Sequence, residues 1–99
     1  MTIYRFPRSA REDLIDIWPY TEETWDEAHA DSYQDALHLG CERIAAGRVQ
    51  VKLVPGLDRI RSYRCQHHYL FFIEQNSSVV VIAVLHERMN LIERLRDRL

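Results

Sequence analysis

Residues 59–91, RIRSYRCQHHYLFFIEQNSSVVVIAVLHERMNL, decide how the rest of the chain must fold. Val79 to Leu85 is a β-branched run broken by one Ala, and Tyr69 to Ile73 is apolar and aromatic, the compositions that a buried sheet position favours. Gln75-Asn76-Ser77-Ser78 between them are turn formers, so the two runs pair as a hairpin. Arg59 to Cys65, with apolar residues alternating among arginines, adds a third strand. The stretch therefore predicts a three-stranded antiparallel meander with His and Arg at its borders.

Working outward, Thr2 to Phe6 alternates as a short strand that Pro7 stops. Ser9 and Glu12 have the spacing of a capping box, so a helix is expected to open at Ser9. Ala10, Leu14, Ile17, Trp18, Thr21 and Trp25 recur at the helical period and form its inward face, which places both tryptophans in the core. Pro19 removes one backbone bond and predicts a kink near Ile15 to Pro19, tolerated on an exposed face. A break at Trp25-Asp26-Glu27 leads to a second helix, Ala28 to about Ala46. Its stripe is Ala30, Tyr33, Leu37, Gly40, Cys41 and Ile44, and Gly47 is its stop. Gly40 in mid-helix suggests close approach by the first helix. Residues 48–58 read as a loop around Pro55-Gly56. Asn90 with Glu93 opens a short C-terminal helix through Leu91, Ile92, Leu95 and Leu99, with Arg94, Arg96 and Arg98 favoured by the helix dipole.

The fold class that follows is α+β over residues 1–99 as a single domain: an N-terminal strand, a two-helix antiparallel hairpin, the meander and a short C-terminal helix. The first strand can pair beside the last. A chain of 99 residues supports one core. The N-terminus lacks an apolar segment of signal-peptide length and no later run approaches the roughly 20 residues of a membrane span, so a cytoplasmic protein without membrane contact is expected. Cys41 and Cys65 are far apart, which in that compartment favours free thiols.

Charge is unevenly distributed. Residues 1–58 hold 6 Lys or Arg against 11 Asp or Glu, and residues 59–99 hold 7 against 4, for a net −2. A protein that clamps RNA through its phosphates is usually basic overall, so direct nucleic-acid binding is not expected. No glycine-rich phosphate loop or nucleophile elbow occurs. His67 and His68 point to opposite faces of a strand, and His29 and His38 lie nine residues apart on a helix, so neither pair shares a metal. Neither a metal nor a cofactor is expected. His86 ends a buried strand, where an imidazole more often has a structural or interface role than a catalytic one. Arg61 and Arg64 flank Tyr63, and Arg and Tyr are favoured interface anchors.

RSYRC, HYLFF and VVVIAVLHERMN together resemble the ParE branch of the RelE/ParE toxin superfamily. That branch has a Tyr-Arg pair on one strand, a His before an aromatic strand, and a Leu-His-x-x-Met-(Asp/Asn) ending. Ile17-Trp18-x-Tyr20 and Trp25 in the helical half are similar too. The resemblance implies the toxic component of a type II toxin–antitoxin system, which poisons DNA gyrase by protein contact and is neutralised by a ParD-type antitoxin. It places target contacts on Arg61, Arg64, His86, Glu87, Arg88 and Met89. The antitoxin would lie over the helical hairpin, with Leu14, Trp18, Tyr33 and Leu37 as its contacts. Two other functions fit the resemblance. One is a ribosome-dependent mRNA endonuclease of RelE type with His86 as base, although the C-terminal Tyr is missing. The other is a non-toxic relic that only binds its antitoxin.

Overall fold

The computed structural model describes residues 3–98, apart from the side chain of Tyr20. Thr2 and Leu99, which the expected first strand and last helix include, lie outside the described residues. Eight elements follow in order: β1 (Ile3–Arg5), α1 (Arg8–Thr24), α2 (Glu27–Ala45), β2 (Lys52–Val54), β3 (Leu57–Cys65), β4 (His68–Gln75), β5 (Ser78–His86) and α3 (Leu91–Arg96). They form one five-stranded sheet in the order β1-β5-β4-β3-β2, in which only the β1–β5 pair is parallel. The α+β class and the pairing of the first strand beside the last both hold.

The meander is longer than expected because residues 48–58 are not all loop. Lys52–Val54 pairs antiparallel with β3, and Pro55-Gly56 is the hairpin turn, with Gly56 at φ 80°. Pro followed by a residue at positive φ is the preference of a type II turn. A three-residue edge strand has too little period to declare itself, and only its partner in β3 makes it a strand. The β4–β5 hairpin turns on Asn76 and Ser77, both left-handed, at φ 50° and 63°. That twist suits a two-residue antiparallel connection. A bulge in β5 follows, since Phe71 faces Ala83 while Phe72 faces Val81, leaving Ile82 as the extra residue.

α1 begins at Arg8 with Pro7 as its cap, two residues before the expected start, and Arg11 N–H donates to the Pro7 carbonyl at 3.1 Å. Ser9 is therefore inside the helix and forms no capping box, and Glu12 pairs with Arg8 at 3.2 Å instead. The helix runs through Pro19, which is exposed. α2 opens on Asp26, whose carboxylate accepts from His29 N–H at 2.6 Å, and it ends before Gly47 at φ 69°.

Two apolar layers hold the sheet. Leu14 and Ile17 of α1 and Leu37, Cys41 and Ile44 of α2 pack on Leu70, Phe72, Val79, Val81 and Val84. On the other face Leu95 of α3 meets Val54, Ile60, Phe71, Ala83 and Leu85. Gly40 marks a close approach to the sheet rather than to α1: a Cβ there would lie 3.0 Å from Cys65 Sγ and 3.2 Å from Leu70 Cδ1. Trp25, expected in the core, is 65% exposed and stacks on His29 with ring centroids 4.9 Å apart. It is the C-cap residue of α1, its backbone N–H donating to the Thr21 carbonyl at 2.9 Å. Cys41 and Cys65 are both free, and burial pushes the Cys41 thiol up to about 12, where it is unreactive. Among the described residues, no helix is long and apolar enough to cross a membrane.

Candidate functional site

The register brings three segments to one end of the sheet: the β3–β4 turn at Gln66-His67, the end of β5 at His86, and the following loop to Asn90. His68 lies opposite both Cys65 and His86, so the ends of β3, β4 and β5 are level. Tyr33 reaches this end from α2, because it lies on the sheet-facing side of the helix between Ala30 and Leu37.

Glu87 is the centre of the exposed part. Its Oε2 accepts from Arg64 Nη2 at 2.6 Å, and its Oε1 lies 3.1 Å from His67 Nδ1. Its backbone N–H donates to the His67 carbonyl at 2.9 Å, which extends the ladder past the end of the strands. The His67 hydrogen bond, ahead of the Arg64 charge, holds the Glu87 carboxyl below its usual value. Beyond it Arg88 and Met89 are exposed, Met89 at 44%, and Arg88 N–H donates to His86 Nδ1 at 3.1 Å.

The inner part is buried and neutral. Tyr33 Oη lies 2.5 Å from His68 Nδ1 and also accepts from the His67 backbone N–H at 3.1 Å. The hydroxyl has one proton and two lone pairs, so it can accept from His67 and still meet His68 Nδ1 in either tautomer of the neutral ring. Burial first, then the neighbouring His86 and His67, lower the His68 pKa to about 4, so the ring is neutral at pH 7. The His86 ring meets His68 edge-on, with centroids 5.1 Å apart. Burial likewise raises the Tyr33 hydroxyl. A pocket of about 470 Å³ opens beside these rings, lined among others by Asp16, Ile17, His86 and Met89.

Of the residues singled out in the sequence, Arg64, His86, Glu87, Arg88 and Met89 come together. Arg61 does not. It lies four positions before Cys65 on β3, about 13 Å along the strand, on the opposite face from Arg64, and it pairs loosely with Glu74 at 3.9 Å. In the helical hairpin, Leu14 is 9% exposed and Leu37 is 1% exposed, so both face the chain's own sheet rather than outward. They sit on the apolar stripes, and the stripes are what the sheet buries. Trp18 is half-buried and donates from Nε1 to Asp31 at 3.0 Å, tying α1 to α2. Tyr33 points inward to the histidines.

The chain also contains a second carboxylate junction that periodicity did not signal. Asp13 accepts from the Val84 backbone N–H at 3.0 Å and takes a two-pronged pair from Arg98 at 2.7 and 2.8 Å. Arg98 also donates to the Ile82 carbonyl at 3.3 Å. α1 and the C-terminus thus close the outer edge of β5 where β1 has ended. This partner, not the α3 dipole, accounts for Arg98. Among the described residues, no three His, Cys, Asp or Glu side chains converge as a metal site.

Comparison with known proteins matches residues 4–91 to the family described as the ParE toxin of the type II toxin–antitoxin system parDE. The chain is 40% identical over 101 residues to Toxin ParE of Escherichia coli, covering 100% of this chain and 98% of that one. It is 34% identical over 94 residues to Toxin ParE1 of Caulobacter vibrioides, covering 91% and 94%. Its fold resembles a chain of the chromosomal ParDE system from P. aeruginosa, with a TM-score of 0.74 at 11% identity over 87% of this chain and 96% of that one. A chain of the RelBE2 toxin–antitoxin complex from Mycobacterium tuberculosis is similar at a TM-score of 0.57 and 23% identity, covering 86% and 96%.

Proposed function

The chain belongs to the ParE toxin family of type II toxin–antitoxin systems, and on that footing we propose that it stops growth by binding and poisoning DNA gyrase. A ParD-type antitoxin holds it silent. The observation that carries the reading, beyond family membership, is the composition and fixity of the edge around Glu87. It presents an arginine held at 2.6 Å, the exposed side chain of Arg88 next to it, and an exposed methionine. Arg and Met are over-represented where proteins contact proteins, and side chains already fixed lose less freedom on binding.

The same geometry weighs against a ribonuclease. His86 Nδ1 accepts from the Arg88 backbone N–H, so the lone pair of the neutral ring is engaged and its proton sits on Nε2, and His68 is buried and hydrogen-bonded to Tyr33. A general base needs a nitrogen free to meet the hydroxyl it deprotonates. For the antitoxin, the outward side of the helical hairpin is the surface available. Ile15, Trp18 and Trp25 are accessible there, whereas Leu14 and Leu37 are covered by the sheet.

Purified protein assayed in parallel against gyrase supercoiling and against translating ribosomes tests the proposal. Inhibited supercoiling or stabilised cleaved DNA, with message intact, is the expected result. Cut message with normal supercoiling would replace the gyrase reading with the endonuclease one, and no effect in either assay, with normal growth on expression, would identify a relic.

A further inference from the structure

We propose that Tyr33 is a positioning residue for the edge: its hydroxyl anchors the His67 main chain, which sets the imidazole that clamps Glu87, and through Glu87 the guanidinium of Arg64. The chain of contacts is continuous. Tyr33 Oη accepts the His67 N–H at 3.1 Å, His67 Nδ1 meets Glu87 Oε1 at 3.1 Å, and Glu87 Oε2 takes Arg64 Nη2 at 2.6 Å. A helix residue 34 positions earlier in the chain therefore reaches the first link of the exposed network.

The turn needs that anchor. Gln66 is held at φ 59°, a left-handed conformation that disfavours residues other than Gly and persists where the surroundings impose it. Hydrogen bonds hold α2 to this turn on both sides of it, among them the Tyr33 bond to His67 and the donation of Cys65 Sγ to the Ala36 carbonyl at 3.3 Å. The other partner of Tyr33, His68, is 6% exposed, and the 2.5 Å contact to it fixes the hydroxyl from the inside. Tyr33 thus stands between a buried imidazole, His68, and an exposed one, His67. Removing its oxygen releases the His67 N–H and leaves the His67 main chain held by the bond from the Glu87 N–H to its carbonyl, while the Tyr33 ring stays packed on the core. Glu87 would then keep Arg64 and lose the fixed approach of His67. The groups that face it are Arg64, His67 and His86.

The consequence for potency rests on the gyrase reading, but the coupling within the chain does not. The test is Tyr33→Phe, followed by NMR titration of the Glu87 carboxyl and by the concentration needed to inhibit supercoiling. The Glu87 midpoint is expected to rise toward the usual carboxylate value, and the inhibitory concentration to increase about tenfold, the factor one lost hydrogen bond carries. In a His67→Ala background the same Tyr33→Phe change should move Glu87 no further. An unmoved Glu87 midpoint in Tyr33→Phe would overturn the proposal, whatever the variant does to stability. A raised midpoint with unchanged potency upholds the coupling and counts against the edge as the gyrase-facing surface. If the variant does not fold, the unaltered protein still decides: the His67 amide should exchange as slowly as those of α2, and exchange at the rate of an open turn would refute the anchor.

Discussion

Two carboxylates each hold a pair of partners, and their settings could hardly differ more. Asp13 joins Arg98 and the Val84 backbone with side-chain exposures of 15% and 22% for the ion pair, sealing the edge of β5 between two helices. Glu87 joins Arg64 and His67 where the arginine is 57% and the histidine 66% exposed. Solvent screens the second junction and adds little net energy to it, while the first has few alternative partners if one member is removed. The difference separates a contact that holds the fold together from one that presents an ordered surface.

The largest break in that contrast should come from Asp13→Asn, which leaves Arg98 without its counter-charge and weakens the acceptor of Val84. Urea denaturation should show a loss of about 2–3 kcal/mol, with gyrase inhibition unchanged once folded protein is equalised. Acidification ranks next. The His68 pKa in the folded chain, about 4, lies below the 6.5 of the free group, so as pH falls the unfolded chain takes up the proton first. His68 therefore costs nothing well above pH 6.5, and stability declines as pH drops from there toward 4. Between pH 7 and pH 5 the loss should be about 2 kcal/mol, and His68→Gln should flatten the slope. The lowered Glu87 carboxyl works in the same direction, its contribution disappearing as pH falls through its folded value.

Glu87→Gln sharpens the contrast from the other side. Stability should change little, because the junction is screened by solvent, yet the concentration needed to inhibit supercoiling should rise severalfold, because Arg64 and His67 lose their common charged partner. A loss of stability equal to that of Asp13→Asn would erase the distinction between the two junctions. Trp25→Ala should have the smallest effect on the isolated chain, within about 0.5 kcal/mol by denaturation, since the ring is exposed and stacks on the exposed His29. A large loss there would restore Trp25 to a structural role.

These contrasts also mark where reading from the sequence stops. The β4 and β5 runs were legible because burial on both faces demands unbroken apolar and β-branched residues, and the inward stripes of α1 and α2 because helical period repeats along them. The stripe gave the burial of Leu14 and Leu37 but not its corollary, that residues the sheet covers are unavailable to a partner. Trp25 obeys the period and fails it in fact, since α1 ends at Thr24 and Trp25, its C-cap, is exposed. β2 is a strand only by virtue of β3. The junctions were least legible of all: Asp13 and Arg98 lie 85 residues apart, and Tyr33 and His68 lie 35 apart. No local pattern announces such pairs. The motif positions brought Arg64, His86, Glu87, Arg88 and Met89 together, whereas the alternation along β3 separates Arg61 from them.

The central claim is that the Glu87 edge is what meets gyrase. The most direct measurement is the supercoiling dose–response of Arg64→Ala and His86→Ala, each confirmed folded, beside the unaltered protein. The account predicts that both lose at least tenfold in potency while remaining neutralised by the antitoxin. Full inhibition by both variants would contradict it and move the target contact to another surface.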